Sequence, residues 1–84
     1  MVLVKLLFFA KARDLAGVSE RAFEISEGLH ASEDIKARIL RIEPSIKPIL
    51  DNCIIAVDLE YVVNSAEITD RTLEVAVVPP VSGG

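Results

Sequence analysis

Apolar and polar positions fall along this 84-residue chain in two rhythms, and each change of rhythm marks the edge of an element. Residues 2–9 are nearly continuous apolar sequence of strand length, which predicts a strand covered on both faces and central in its sheet. Residues 10–16 have room for a short helical turn, and Gly17 is placed to end it. Arg21, Phe23 and Ile25 alternate with Ala22 and Glu24, the period of a strand with one wet face, so residues 17–20 connect an opening hairpin. Ser32 followed by Glu33 and Asp34 marks a helix start, with a side-chain cap and two acids at the positive end of the dipole. Ile35, Ile39, Ile42 and Ile46 then share one helical stripe, and Asp34 and Arg38 pair across a turn on another face. Pro44 disfavours helical geometry at Glu43, which ends the main helix near residue 43 and leaves a further turn before Pro48. Residues 53–57 and 61–63 read as two short strands about Asp58, Leu59 and Glu60. Residues 64–72 are a polar connection, and 73–78 form the last strand.

The order is strand, strand, helix, strand, strand, strand. The first and last strands are the most apolar, so both are expected to be central and adjacent in a mixed sheet, with the one main helix packed across one face. This is an α+β architecture resembling the ubiquitin-like β-grasp. Its domain spans residues 1–78, and residues 79–84 follow as an extended tail.

Composition changes this picture in one respect. About half the residues are hydrophobic, 51%, in a chain too short to bury more than about 60% of its unfolded surface. A domain so apolar leaves some of that surface in the open, which favours a partner-binding face. The net charge is −4, and it is uneven: residues 1–42 hold seven basic and six acidic side chains, residues 43–84 two and seven. An acidic balance speaks against binding a phosphate backbone, and no nucleic acid is expected as partner. The acidic half fits either a partner with a basic docking surface or a surface that only keeps the domain in solution. Cys53 is the sole cysteine, so no internal disulfide forms, and a reducing, cytoplasmic setting is expected. Beside Ile54 and Ile55 it reads as a buried, inert thiol. No membrane span is expected, because residues 2–10 contain Lys5 and are far shorter than the roughly 20 residues a spanning helix needs.

The chemistry is concentrated at the end of the chain. After the last strand come Pro79, Pro80, Val81, Ser82, Gly83 and Gly84. Gly84 alone carries an α-carboxylate, which becomes a usable electrophile once AMP is transferred onto it as a mixed anhydride. Gly83 and Gly84, lacking Cβ atoms, let the main chain enter a channel too narrow for side chains. Pro79 and Pro80 fix φ and favour an extended run, so less entropy is lost on capture. At full extension six residues reach roughly 20 Å. The two glycines alone fit a frayed end equally well; the prolines that join them to an apolar strand favour a built tail.

Elsewhere the chain is poor in chemistry. It has no G-x-x-x-x-G-K-[ST] loop for nucleotide phosphates and no paired Cys or His ligands for zinc, so no cofactor or metal is expected on the chain itself. His30 reads as a connection residue ahead of the helix, without a nucleophile linked to it. Lys36, Arg38 and Arg41 make a basic helical surface, either solvated or used for docking. Phe8 and Phe9, on the first strand, either join an interface beside the tail or belong to the core.

Residues 4–17 (VKLLFFAKARDLAG), 55–61 (IAVDLEY) and 73–84 (LEVAVVPPVSGG) resemble the small, sulfur-carrying subunit of molybdopterin synthase. Residues 18–53 match in pattern only. Asp70-Arg71-Thr72 departs from relatives that often place a glycine after the aspartate. The resemblance implies a cycle in which an E1-like enzyme adenylates Gly84 with Mg-ATP and sulfur delivery makes a Gly84 thiocarboxylate. The tail then enters a large synthase subunit and gives its sulfur to a cyclic pyranopterin phosphate. It further implies a heterotetramer whose acid-base residues lie mainly on the large subunit, this chain being the non-catalytic sulfur donor. Three readings of the tail stay open beside it: a carrier for thiamine synthesis or tRNA thiolation, a protein modifier joined through Gly84 to lysines, and an interaction domain with an idle tail.

Overall fold

A computed structural model describes residues 1–80 of the chain. Strand β1 (Val2–Phe8) leads through helix α1 (Ala10–Ala16) to β2 (Glu20–Ile25) and the short β3 (Gly28–Ala31). Helix α2 (Ser32–Ile42) follows, then a 3-10 turn (Pro44–Ile46), α3 (Lys47–Leu50), β4 (Ile54–Val57), β5 (Glu60–Tyr61), β6 (Ser65–Ile68) and β7 (Glu74–Val78). Five strands form a mixed sheet in the order β2-β1-β7-β4-β5, while β3 and β6 pair as a separate ribbon. The first and last strands are adjacent and internal, and among the described residues they alone run parallel. That is the expected ubiquitin-like β-grasp.

The inner face of the sheet is one continuous core. Val4, Leu6 and Phe8 from β1, Phe23 and Ile25 from β2, and Val75 and Val77 from β7 meet Ile35 and Ile39 of α2 and Ile46 of the 3-10 turn. Ile42, at the end of α2, is only half buried, so the stripe loses its grip as the helix stops. Gly17 closes α1 with φ +77° and donates its N–H to the Arg13 carbonyl at 2.9 Å, a conformation costly for any residue with a Cβ.

Several expectations are corrected. The residue capping α2 is Ala31, with no side-chain hydrogen bond; Ser32 is already helical, and its N–H donates to the Asn64 carbonyl at 2.8 Å. Arg38 does not pair with Asp34: its Nε donates to the Glu24 carbonyl at 2.8 Å and ties α2 to β2. The ion pair found among the described residues is Arg21–Glu43 at 2.9 Å. Two strands arise where connections were expected, β3 before the helix and β6 within the polar stretch 64–72. Each is four residues long, and only Ile68 of the pair is buried, so neither carries an apolar run.

The most consequential correction concerns β1. It is covered on one face only: its odd-numbered side chains point away from the helices, Leu3 and Lys5 are exposed, and Leu7 is half buried. An unbroken apolar run predicts double coverage only where the chain has elements for both sides. Here every described helix that contacts the core lies on the inner face, and among the described residues the outer face stays open.

Candidate functional site

The open face is assembled by register. Leu7 of β1 lies beside Ala76 of β7, Ala76 beside Ala56 of β4, and Ala56 beside Tyr61 of β5, while Ile54 pairs with Val78. Partners in register share a face, so this row crosses the sheet on the side away from the helices. Two alanines at the centre keep the floor low. Around them Phe9, Leu59, Tyr61 and Val78 form the walls of an apolar trough of about 280 Å³. These are large apolar groups in water: Phe9 is 47% exposed, Tyr61 68% and Leu59 87%. A larger hollow of about 360 Å³ lies at the β2 edge against α2, with Glu24, Arg38 and Arg41 in its lining. It is separated from the trough strand β7 by β1.

The trough lies where the chain leaves the domain. β1 and β7 are parallel, so their C-terminal ends coincide, and Phe9, whose N–H donates to the Val77 carbonyl at 3.3 Å, stands beside the exit. Val78 and Pro79 are half buried and Pro80 is exposed. Val81, Ser82, Gly83 and Gly84, which carry the expected tail chemistry, lie outside the described residues.

Sequence reasoning singled out Phe8 and Phe9 together, and the structure separates them. Phe8 is 2% exposed and belongs to the inner core, whereas Phe9, one residue on, faces the trough. It also missed Leu59 and Tyr61. Their signal was a leucine at the second position of a two-residue turn, where a polar residue or glycine is usual.

Other candidate groups are held by structural partners. Cys53 is buried, its thiol donates to the Ile49 carbonyl at 3.2 Å, and burial pushes its pKa up, which keeps it protonated and unreactive. His30 is not a loop residue but part of β3, with Nε2 2.7 Å from the Ser26 carbonyl, to which it donates. Among the described residues no cluster of three His, Cys, Asp or Glu side chains is placed to hold a metal ion. No described helix is long and apolar enough to cross a membrane.

The ThiS family matches residues 6–84, nearly the whole chain including its end. The chain belongs to the ThiS family. This ThiS-family chain is 40% identical over 82 residues to the molybdopterin synthase sulfur carrier subunit of Chlamydomonas reinhardtii, covering 96% of this chain and 98% of that one. It is 37% identical over 86 residues to the corresponding subunit of Caenorhabditis elegans, covering all of both. Among solved structures, a putative molybdopterin converting factor subunit 1 from Pyrococcus furiosus superposes with TM-score 0.67 at 32% identity, over 96% of this chain and 100% of the other. A complex of subunits 1 and 2 of the molybdopterin-converting factor from Helicobacter pylori contains a chain that matches with TM-score 0.69 at 21% identity, over 99% and 100%. Small archaeal modifier protein 1 from Haloferax volcanii matches with TM-score 0.77 at 16% identity, over 96% and 100%, a likeness of fold alone.

Proposed function

We propose that this chain is the sulfur-carrier subunit of a molybdopterin synthase, which presents its C-terminus to a large subunit docked on the open sheet face. The observation that carries the reading is the junction at Val78. One residue is both a wall of the exposed apolar trough and the last residue of the central strand that leads into Pro79-Pro80-Val81-Ser82-Gly83-Gly84. A partner seated on the trough therefore receives the tail directly. The names of the curated relatives and the two-subunit complex of the Helicobacter pylori relative support the same partner.

In this reading an E1-like enzyme joins the Gly84 carboxylate to AMP from Mg-ATP, releasing pyrophosphate. Hydrosulfide attacks the acyl carbon, the bond to AMP breaks, and the C-terminus is left as a thiocarboxylate. That sulfur bonds to a carbon of a cyclic pyranopterin phosphate held by the large subunit, water cleaves the acyl C–S bond so formed and leaves the sulfur on the pterin as a thiol, and Gly84 returns as a carboxylate ready for another round. The chain's own contribution is positional: Pro79 and Pro80 stiffen the exit, and Gly83 and Gly84 keep the reactive end slim enough for a channel.

The test is intact-mass analysis after incubation with the activating enzyme, ATP and a sulfur donor. Replacement of one Gly84 oxygen by sulfur is expected, followed by loss of that sulfur when the large subunit and pterin are added. Unmodified acid alone under conditions that convert a known carrier overturns the reading. Recovery of Gly84 in amide linkage to lysines assigns the chain to protein modification instead.

A further inference from the structure

We infer that Asp58 is a positioning residue for partner docking: its carboxylate locks the turn between β4 and β5 onto the head of β7 and so holds Leu59 in the wall of the trough. This rests on the reading of the trough as the large-subunit docking face, and it adds two residues that neither the tail nor the aromatic walls account for.

The turn departs from local rules. Val57 and Glu60 close a two-residue hairpin loop, and both residues within it, Asp58 at φ +47° and Leu59 at φ +72°, have left-handed backbones. Such a loop twists to match the strands, and glycine is the usual second residue because it alone takes that conformation without strain. Aspartate tolerates the first position; leucine at the second does not suit the turn and is 87% exposed. Nothing in the core is gained by this leucine. A strained backbone that thrusts a large apolar side chain into water is the kind of local inconsistency that marks a functional position.

The strain is held by a specific device. Asp58 Oδ1 accepts the N–H of Leu73 and the N–H of Glu74, each at 2.9 Å, and the Asp58 N–H donates to the Glu74 carbonyl at 3.0 Å. The Leu73 carbonyl in turn accepts the Lys5 N–H at 3.0 Å, so the same point of β7 is fixed to β1. One side chain thereby joins the hairpin tip to the strand that runs on to the tail. Free of this lock, the turn has other conformations in reach, and Leu59 loses its fixed place beside Tyr61 and Ala76. Docking then bears the entropy of ordering it.

The experiment measures dissociation constants for the large synthase subunit of the same organism by calorimetry. Asp58→Gly removes the carboxylate while leaving a residue at ease with positive φ, and Asp58→Asn keeps an acceptor oxygen. Asp58→Gly is expected to weaken binding about fivefold to tenfold and Leu59→Ala about tenfold, while Asp58→Asn stays near the parent value. If Asp58 acts through Leu59, the double variant D58G/L59A binds no more weakly than L59A. An unchanged constant for D58G, or a double variant whose loss is the product of the single losses, overturns the proposal. Phe9→Ala and Tyr61→Ala leave the lock intact and separate the two readings. If both bind like the parent chain, docking at the trough is wrong; if they bind weakly and D58G does not, only the lock is wrong. Should D58G fail to fold, amide exchange in the parent chain decides: slow exchange at Leu73 and Glu74 is expected, and rapid exchange at both refutes the lock.

Discussion

At the scale of single residues, the one buried acidic side chain among the described residues shows how charge is spent on structure rather than on chemistry. Glu43 follows α2, where Pro44, lacking an N–H, cannot continue the α-helical hydrogen bonding, and the residue is 9% exposed. Oε2 accepts the Ser45 hydroxyl and Oε1 accepts Nη1 of Arg21 on β2, which also donates to the Ile42 carbonyl at 2.7 Å. The Ser45 hydrogen bond most of all, and then Arg21, hold the carboxyl below its usual range, against burial, which works to raise it. A group with a lowered pKa in the folded state stabilises the fold above its unfolded value, about 4.3 for glutamate, and that contribution fades as pH falls through the folded value. Thermal stability is therefore expected to drop below about pH 4.5, and Glu43→Gln, which keeps the hydrogen-bonding shape without the charge, to flatten that part of the profile. Melting curves between pH 3 and 7 check it; an identical acid limb in the variant would assign the loss to other carboxylates.

At the scale of elements, β7 is both the middle of the fold and the launch of the tail, and these roles use opposite faces of one strand. Val75 and Val77 point into the core, while Ala76 and Val78 face the trough. Replacing Ala76 by phenylalanine fills the trough without touching the core, since aromatic residues suit a pleated surface. The expected result is a melting temperature near the parent value with affinity for the large subunit lowered at least a hundredfold, read by calorimetry and calorimetric unfolding on the same samples. Binding undiminished by a ring in the trough would move the docking face elsewhere.

The same strand shows what the sequence made legible. Apolar runs of strand length placed β1 and β7 side by side at the centre, and the Ile35–Ile39 spacing placed α2 on the sheet. β3 and β6 stayed hidden because GLHA and SAEI place a single side chain, Ile68, in the core: hydrogen bonding between His30 and Ala66 and their neighbours makes the ribbon, and hydrogen bonding leaves no mark in hydropathy. The trough was half legible. A surplus of apolar residues announced an exposed face, and Phe9 was singled out, but its floor depends on Ala56 and Ala76 falling into register across the antiparallel β4–β7 pair. That register is set by tertiary pairing, which no local pattern in the chain encodes.

At the scale of the whole molecule, the proposed function assigns docking to the sheet face and delivery to the tail, and this division can be tested. The domain exposes 5366 Å², of which a stable interface takes roughly 800 Å² from each partner. The trough walls provide large apolar anchors of the kind that carry most binding energy, whereas the proposal gives the last residues the reactive group. Removing Ser82, Gly83 and Gly84 is therefore expected to leave most of the affinity for the large subunit in place while abolishing sulfur delivery. Adding one residue after Gly84 displaces the reactive end by about 3.5 Å and places a side chain where the channel accepts none. The extended chain should fold and dock like the parent and carry no sulfur. Light scattering of each chain mixed with the large subunit reports assembly mass, and intact-mass analysis reports sulfur loading. Truncated and extended chains that assemble but never transfer sulfur place docking in the domain and delivery in the tail. Separate monomers at micromolar concentration for all three chains would reject the pairing itself, and an extended chain with full activity would show that the position of the terminal carboxylate is not what the partner reads.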